Sequence, residues 1–111
     1  MHTRFDADRD LIERVLTDYA QYPYAYGEIE RQLIFDRQRD HDLLMSVGWH
    51  KHRVHGCVIP IDLIDGQFWI QRDGTEQGVA GDLEAGGLPR DRIVLAFKSE
   101  KVRPHNGYAV A

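Results

Sequence analysis

The spacing of apolar residues changes along this chain, and each change marks an element. Over residues 6–21, Leu11, Ile12, Val15, Leu16 and Tyr19 recur at i, i+1, i+4, i+5 and i+8, one face of a 3.6-residue period. Asp8, Arg9, Glu13, Arg14 and Asp18 fill the other faces, so the segment predicts an amphipathic helix with Asp6 as its N-cap. Tyr22-Pro23 stops it, because a residue before proline is pushed out of the helical region. Tyr19, Tyr22, Tyr24 and Tyr26 make the exit aromatic. Packing of the helix on a sheet is the expected use of these rings, with base stacking as the alternative.

From Glu28 the period becomes two. Ile29, Leu33 and Phe35 alternate with Glu28, Glu30 and Gln32, the mark of a half-buried strand, and Asp36–Asp42 reads as a connection. Leu43, Met45, Val47 and Trp49 share one face of a second strand, whose other face (Leu44, Ser46, Gly48, His50) is only partly apolar. A third strand, Arg53 to Leu63, is apolar on both sides, with Val54 and Val58 on one and Cys57, Ile59, Ile61 and Leu63 on the other. Pro60 cannot donate to a ladder, so an edge or a bulge is expected there. Asp65-Gly66 is a hairpin signal of the type I′ kind, leading into a fourth strand, Gln67–Arg72, with Phe68 and Ile70 facing opposite to Trp69. Short connections between these runs predict an antiparallel meander.

A second helix is expected from near Thr75, with the Thr75 hydroxyl as cap, Glu76 in the first turn and Val79, Ala80 and Leu83 as its apolar face. Gly78 and Gly81 weaken it, and close backbone packing would account for them. Gly86-Gly87 ends the helix and Pro89 prevents its restart. Ile93–Phe97 reads as a buried fifth strand, and Tyr108–Val110 as a small apolar segment able to pack back on the body. The fold class is α+β, with an N-terminal helix, a four-stranded antiparallel meander, a second short helix and a fifth strand. Residues 1–111 form one domain.

Composition narrows the functional classes. Forty-two percent hydrophobic and 29% charged residues exclude a disordered chain. Eighteen acidic against fourteen basic residues give a net charge of −4, which argues against autonomous DNA binding. No apolar run reaches the ~20 residues of a membrane span, and the charged start MHTRFDADRD is unlike a signal peptide. Cys57 is the only cysteine, consistent with a reducing compartment, and a cytoplasmic location without membrane contact is expected.

Candidate chemistry is sparse. His50, His52, His55 and Cys57 lie within eight positions and are all metal-ligand types, but H-x-H-x-x-H-x-C matches no structural zinc pattern and Lys51 and Arg53 add positive charge. An exposed hairpin tip is the expected reading, and no metal or cofactor is assigned. Asp62, Asp65, Asp73, Glu76 and His41, beside Asp40 and Asp42, are acid–base types without sign of convergence. Glycine-rich phosphate loops and a serine nucleophile motif are lacking. Arg37, Arg39, Lys51, Arg53, Arg90, Arg92, Lys98, Lys101 and Arg103 are interleaved with acidic residues, the pattern of a solvated surface.

The segments FDRQRDHDLLMSVGW, RVHGCVIPIDLIDGQFWIQRDGTEQGVAGDL, GLPRDRIVLAF and GYAVA resemble the XisI family, known as fdxN element excision controlling factors and found mainly in cyanobacteria. The resemblance spans nearly the whole chain. It departs at Asp42, where the family commonly has an aromatic residue, and at Pro60, where a polar residue such as histidine is common. It implies a non-enzymatic accessory to site-specific excision of a DNA element, working beside an XisH-like protein while a separate recombinase exchanges strands. No catalytic or cofactor residue is implied. Trp49, Trp69, Asp73, Thr75 and Glu76 match the motifs and are candidate partner-binding residues, tryptophan being enriched at interface hot spots. Self-association is a further expectation. The alternative is direct nucleic-acid binding, or a weak metal-dependent activity of the His50/His52/His55 cluster on nucleic acid.

Overall fold

Helix α1 (Arg4–Ala20) lays Ile12, Val15 and Leu16 into the core and flanks them with Leu11 and Tyr19, the stripe its period requires. The helix starts two residues before Asp6. That carboxylate therefore lies within the first turn, where it favours the helix dipole, and is not the N-cap expected of it. The structure, a computed structural model, describes residues 4–21, 28–72, 78–105 and 107–110. Tyr22, Tyr24 and Tyr26 lie outside the described residues.

Five strands form one sheet in sequence order: β1 (Glu28–Asp36), β2 (His41–His50), β3 (His52–Ile64), β4 (Gln67–Ile70) and β5 (Ile93–Leu95). The first four make the expected antiparallel meander. β5 is parallel to β4, because the chain crosses back through α2 (Val79–Ala85) before re-entering the sheet. The β1–β2 connection is shorter than predicted, Arg37–Asp40. The Asp36 carboxylate closes it by accepting the Gln38 and Arg39 amides at 3.1 and 3.0 Å, leaving His41 and Asp42 free to pair. Asp65 and Gly66 both adopt positive φ, 51° and 78°, as a type I′ hairpin demands.

The expected disturbance near Pro60 is present as a bulge. Leu44 pairs with Ile59 but Met45 pairs with Cys57, so Val58 is the extra residue. The Pro60 carbonyl accepts the Gln71 amide at 3.0 Å, which turns the imino nitrogen toward the same side, just past the last residue of β4. The bulge also corrects the predicted facing of β3. Cys57 shares a face with Met45 rather than with Ile59, Ile61 and Leu63, since one extra residue inverts the alternation.

α2 starts after Gly78, whose φ of 83° no helix accommodates, rather than near Thr75. Thr75 and Glu76 themselves lie outside the described residues. Its end is as predicted: Gly87 takes φ 101°, its amide reaches the Glu84 carbonyl at 2.9 Å, and the Leu88 amide reaches that of Leu83 at 3.1 Å, a Schellman closure over two buried leucines. Close packing explains Gly86, where a Cβ would sit 2.6 Å from Leu11 Cδ1, but not Gly81, which faces open space. The apolar run after Arg92 is shorter than expected, because β5 stops at Leu95 and Phe97 is exposed. The tail does return: the Ala109 amide donates to the Ile93 carbonyl at 2.9 Å, and Ala109 bridges Val94. Both helices cover one side of the sheet, where Leu44, Ile59, Ile61, Phe68, Ile70 and Ile93 are fully buried.

Candidate functional site

The two sides of β2 have opposite fates. Asp42, Leu44 and Ser46 are buried on the side that carries the core, whereas Leu43, Met45, Val47 and Trp49 point to the other. The more uniformly apolar stripe is thus the one the helices leave uncovered. Cross-strand pairing extends this open side over β1 and β3, where Ile34 faces Leu43, Gln32 and Cys57 face Met45, and Glu30 and His55 face Val47. Trp49 lies between Glu28 and Arg53, is 57% exposed, and has the Arg53 guanidinium 5.5 Å from its ring centroid.

The same side is covered at its other end. Arg103 stands 5.5 Å over the Trp69 ring and donates to the carbonyls of Lys98, Ala96 and Val110 at 3.0, 3.2 and 3.5 Å. Val94 is fully buried beside them. The two tryptophans are therefore not equivalent: Trp69 is packed under the tail, and Trp49 is presented. Among the described residues, the buried Trp69 indole N–H meets no hydrogen-bond partner. Asp73, Thr75 and Glu76 lie outside the described residues.

The histidine cluster is divided by strand alternation. His50 and His52 pair across the tight turn at Lys51 (φ 64°), while His55 and Cys57 sit on the open side opposite Val47 and Met45. Among the described residues no three histidine, cysteine or carboxylate side chains converge as a metal site. Burial raises the Cys57 thiol above its ordinary pKa, which keeps it protonated and a poor nucleophile.

Two of the acid–base candidates do meet. His41 and Asp62 pair across β2 and β3, with the ring Nδ1 2.5 Å from the carboxylate, whose other oxygen accepts from Gln71 Nε2 at 2.9 Å. The hydrogen bond to Asp62 holds the imidazole protonated to higher pH than usual. Asp42 is the residue the sequence reading undervalued. Only 3% exposed, its carboxyl is pushed up to about 7, first by burial and then by Glu13 and Asp40 nearby. The sole sequence signal was its departure from the aromatic residue of the XisI pattern.

Among the described residues, several of the basic side chains are paired with carboxylates. Arg37 binds Glu13 and Asp10 at 2.7 and 2.6 Å, and Arg39 binds Asp36. Arg90 binds Glu84, and Arg92 binds Asp8, both at 2.5 Å. With Arg9 clasping Asp40 at 2.7 Å, several of these pairs fasten the polar flank of α1 to the sheet turns. Among the described residues no helix is long and apolar enough to cross a membrane.

The sequence model of the XisI protein family matches residues 2–110. Among solved structures, an XisI-like protein from Anabaena variabilis superposes with a TM-score of 0.88 at 35% identity, covering 96% of this chain and 99% of its own. The fdxN element excision controlling factor XisI from the same organism superposes with a TM-score of 0.82 at 25% identity, over 98% of this chain and all of its own. No curated protein matches.

Proposed function

Because this chain belongs to the XisI family, we propose that it is a non-enzymatic accessory in the control of site-specific excision of a DNA element, acting by contact with an XisH-like protein. The excision-control role is supported by the family and by the name of the similar Anabaena protein, an excision controlling factor. The observation that carries a binding role is the uncovered apolar side of β1–β3, crowned by Trp49. A sheet side of this kind is suited to bury surface against protein.

Trp49 is assigned to a protein contact on its exposure. Asp73, Thr75 and Glu76 are assigned to recognition of the XisH-like partner on their place in the family motif, whereas the place of Trp69 under the tail assigns it to packing. The pairing of Arg37, Arg39, Arg90 and Arg92 with carboxylates weighs against a free cationic track for DNA.

The test is a pull-down of a cognate XisH-like protein on the purified chain, with and without DNA carrying an element boundary. Capture that does not need DNA is the expected result. Capture only through DNA, or direct retention of DNA with a steep salt dependence and no protein capture, overturns the reading in favour of nucleic-acid handling.

A further inference from the structure

We infer that the open side of β1–β3 takes a second copy of this chain, stacked face to face about a two-fold axis parallel to β2. The inference rests on the binding role proposed above; it gives this side, with Trp49, to the second copy and leaves the XisH-like contact to the motif residues Asp73, Thr75 and Glu76. The argument is the distribution of charge around the apolar centre. Each row across the three strands has β2 in the middle: Glu28–Trp49–Arg53, then Glu30–Val47–His55, then Gln32–Met45–Cys57, then Ile34–Leu43–Pro60. The β1 margin of the outer rows is acidic, the β3 margin is basic, and both margins are exposed while β2 supplies the apolar ridge.

Rotation by a half-turn about β2 exchanges the margins and keeps the rows. Trp49 then meets Trp49 and Val47 meets Val47 of the second copy, while Glu28 and Glu30 come over Arg53 and His55. An axis across the strands would instead reverse the rows, setting Glu28 over Ile34 and Arg53 over Pro60, so that each charge meets an uncharged residue. Only the axis along β2 matches the charges, which is how an isologous contact acquires a unique geometry. At about 4.8 Å between strands and about 6.8 Å between same-side residues, the four rows project about 400 Å² before side-chain relief is counted. Indole and thioether side chains enlarge that toward the ~800 Å² per partner of a standard interface.

Charge exchange tests the geometry. Wild-type chain should sediment as a dimer at tens of micromolar, and Val47→Glu as a folded monomer by circular dichroism. E28K/E30K alone and R53E/H55E alone should each be monomeric, since the first sets a lysine over Arg53 and the second sets glutamates over Glu28 and Glu30. Mixed in equal amounts they should form a heterodimer, because the margins are complementary again. A monomeric wild type, a Val47→Glu variant that stays dimeric, or a mixture that does not associate overturns the inference. An XisH-like protein captured by a monomeric wild type would leave the proposed function standing while removing the dimer; a dimer that captures none would do the reverse.

Discussion

The guanidinium of Arg103 lies 5.5 Å over the ring of Trp69, and three backbone carbonyls fix it there. One side chain thereby joins the C-terminal tail to β4 by a cation–π contact and by hydrogen bonds. Arg103→Ala should release the tail and wet the indole. In a Trp49→Phe background, so that Trp69 alone reports, its emission should shift to the red and stability should fall by about 1–2 kcal/mol. Unchanged emission and an unchanged denaturation midpoint would show that the tail is held otherwise.

Asp42 should make stability depend on pH. Its folded carboxyl titrates near 7 against 3.8 for the ordinary side chain. Between those values the folded protein keeps a proton that the unfolded chain has released, so stability falls as pH rises from about 4 to about 7 and stays low above it. Asp42→Asn should therefore be the more stable protein at pH 8, by about 2 kcal/mol after allowance for local hydration, and gain little at pH 4. Urea titrations at the two pH values measure this. A constant difference would mean the carboxyl is charged throughout.

Two glycines should respond in opposite directions to the same change. At Gly48 a Cβ would come 1.9 Å from the Glu28 carbonyl oxygen and 2.8 Å from Ile29 Cα, both backbone atoms of the adjoining strand. Gly48→Ala should cost at least about 2 kcal/mol by prising β1 from β2. Gly81 lies inside α2 with open space where its Cβ would be, so Gly81→Ala should add up to about 1 kcal/mol. Thermal midpoints moving the same way in both variants would contradict this.

Arg92 reaches Asp8 at 2.5 Å and the Gly66 carbonyl at 2.9 Å, linking α1, the β3–β4 turn and the segment before β5. Asp8→Ala should cost about 2 kcal/mol, less than the ~3–5 of a fully buried pair because Arg92 keeps some exposure. Asp8→Ala combined with Arg92→Met should recover part of the loss. No recovery in the double variant would place the effect in α1 itself.

Local rules carried most of the fold. The 3.6-residue stripe of α1, the alternation of β1 and β2, the Asp65-Gly66 turn and the Gly86-Gly87 stop all appear where those rules put them. What sequence could not supply was any information that acts at a distance. The Val58 bulge is set by which residues of β2 oppose β3, so the slip that moved Cys57 to the open side has no local mark beyond Pro60. α2 starts later than its apolar pattern suggests because Gly78 takes a positive φ, which no neighbouring residue in the sequence marks.

The candidate site followed the same division. The stripe of Leu43, Met45, Val47 and Trp49 was visible at once, but nothing in it says on which side the helices pack. That choice is made by Ile59, Ile61 and Leu63 joining Leu44 against α1 and α2. Burial of Asp42 is the consequence, a carboxylate carried inward by its position opposite Ile61.

The bulge at Val58 also bears on how such a chain can change by mutation. Val58 is the residue by which β3 exceeds β2 between the pairs Leu44–Ile59 and Met45–Cys57, so its loss would leave both pairs, and the side on which each stands, unchanged. A single in-frame codon deletion at Val58 would thus straighten the strand while leaving His52–Cys57 on their present sides and Ile59, Ile61 and Leu63 in place. The bulge is in this sense spare length, a slack through which β3 can lose a residue without moving its register.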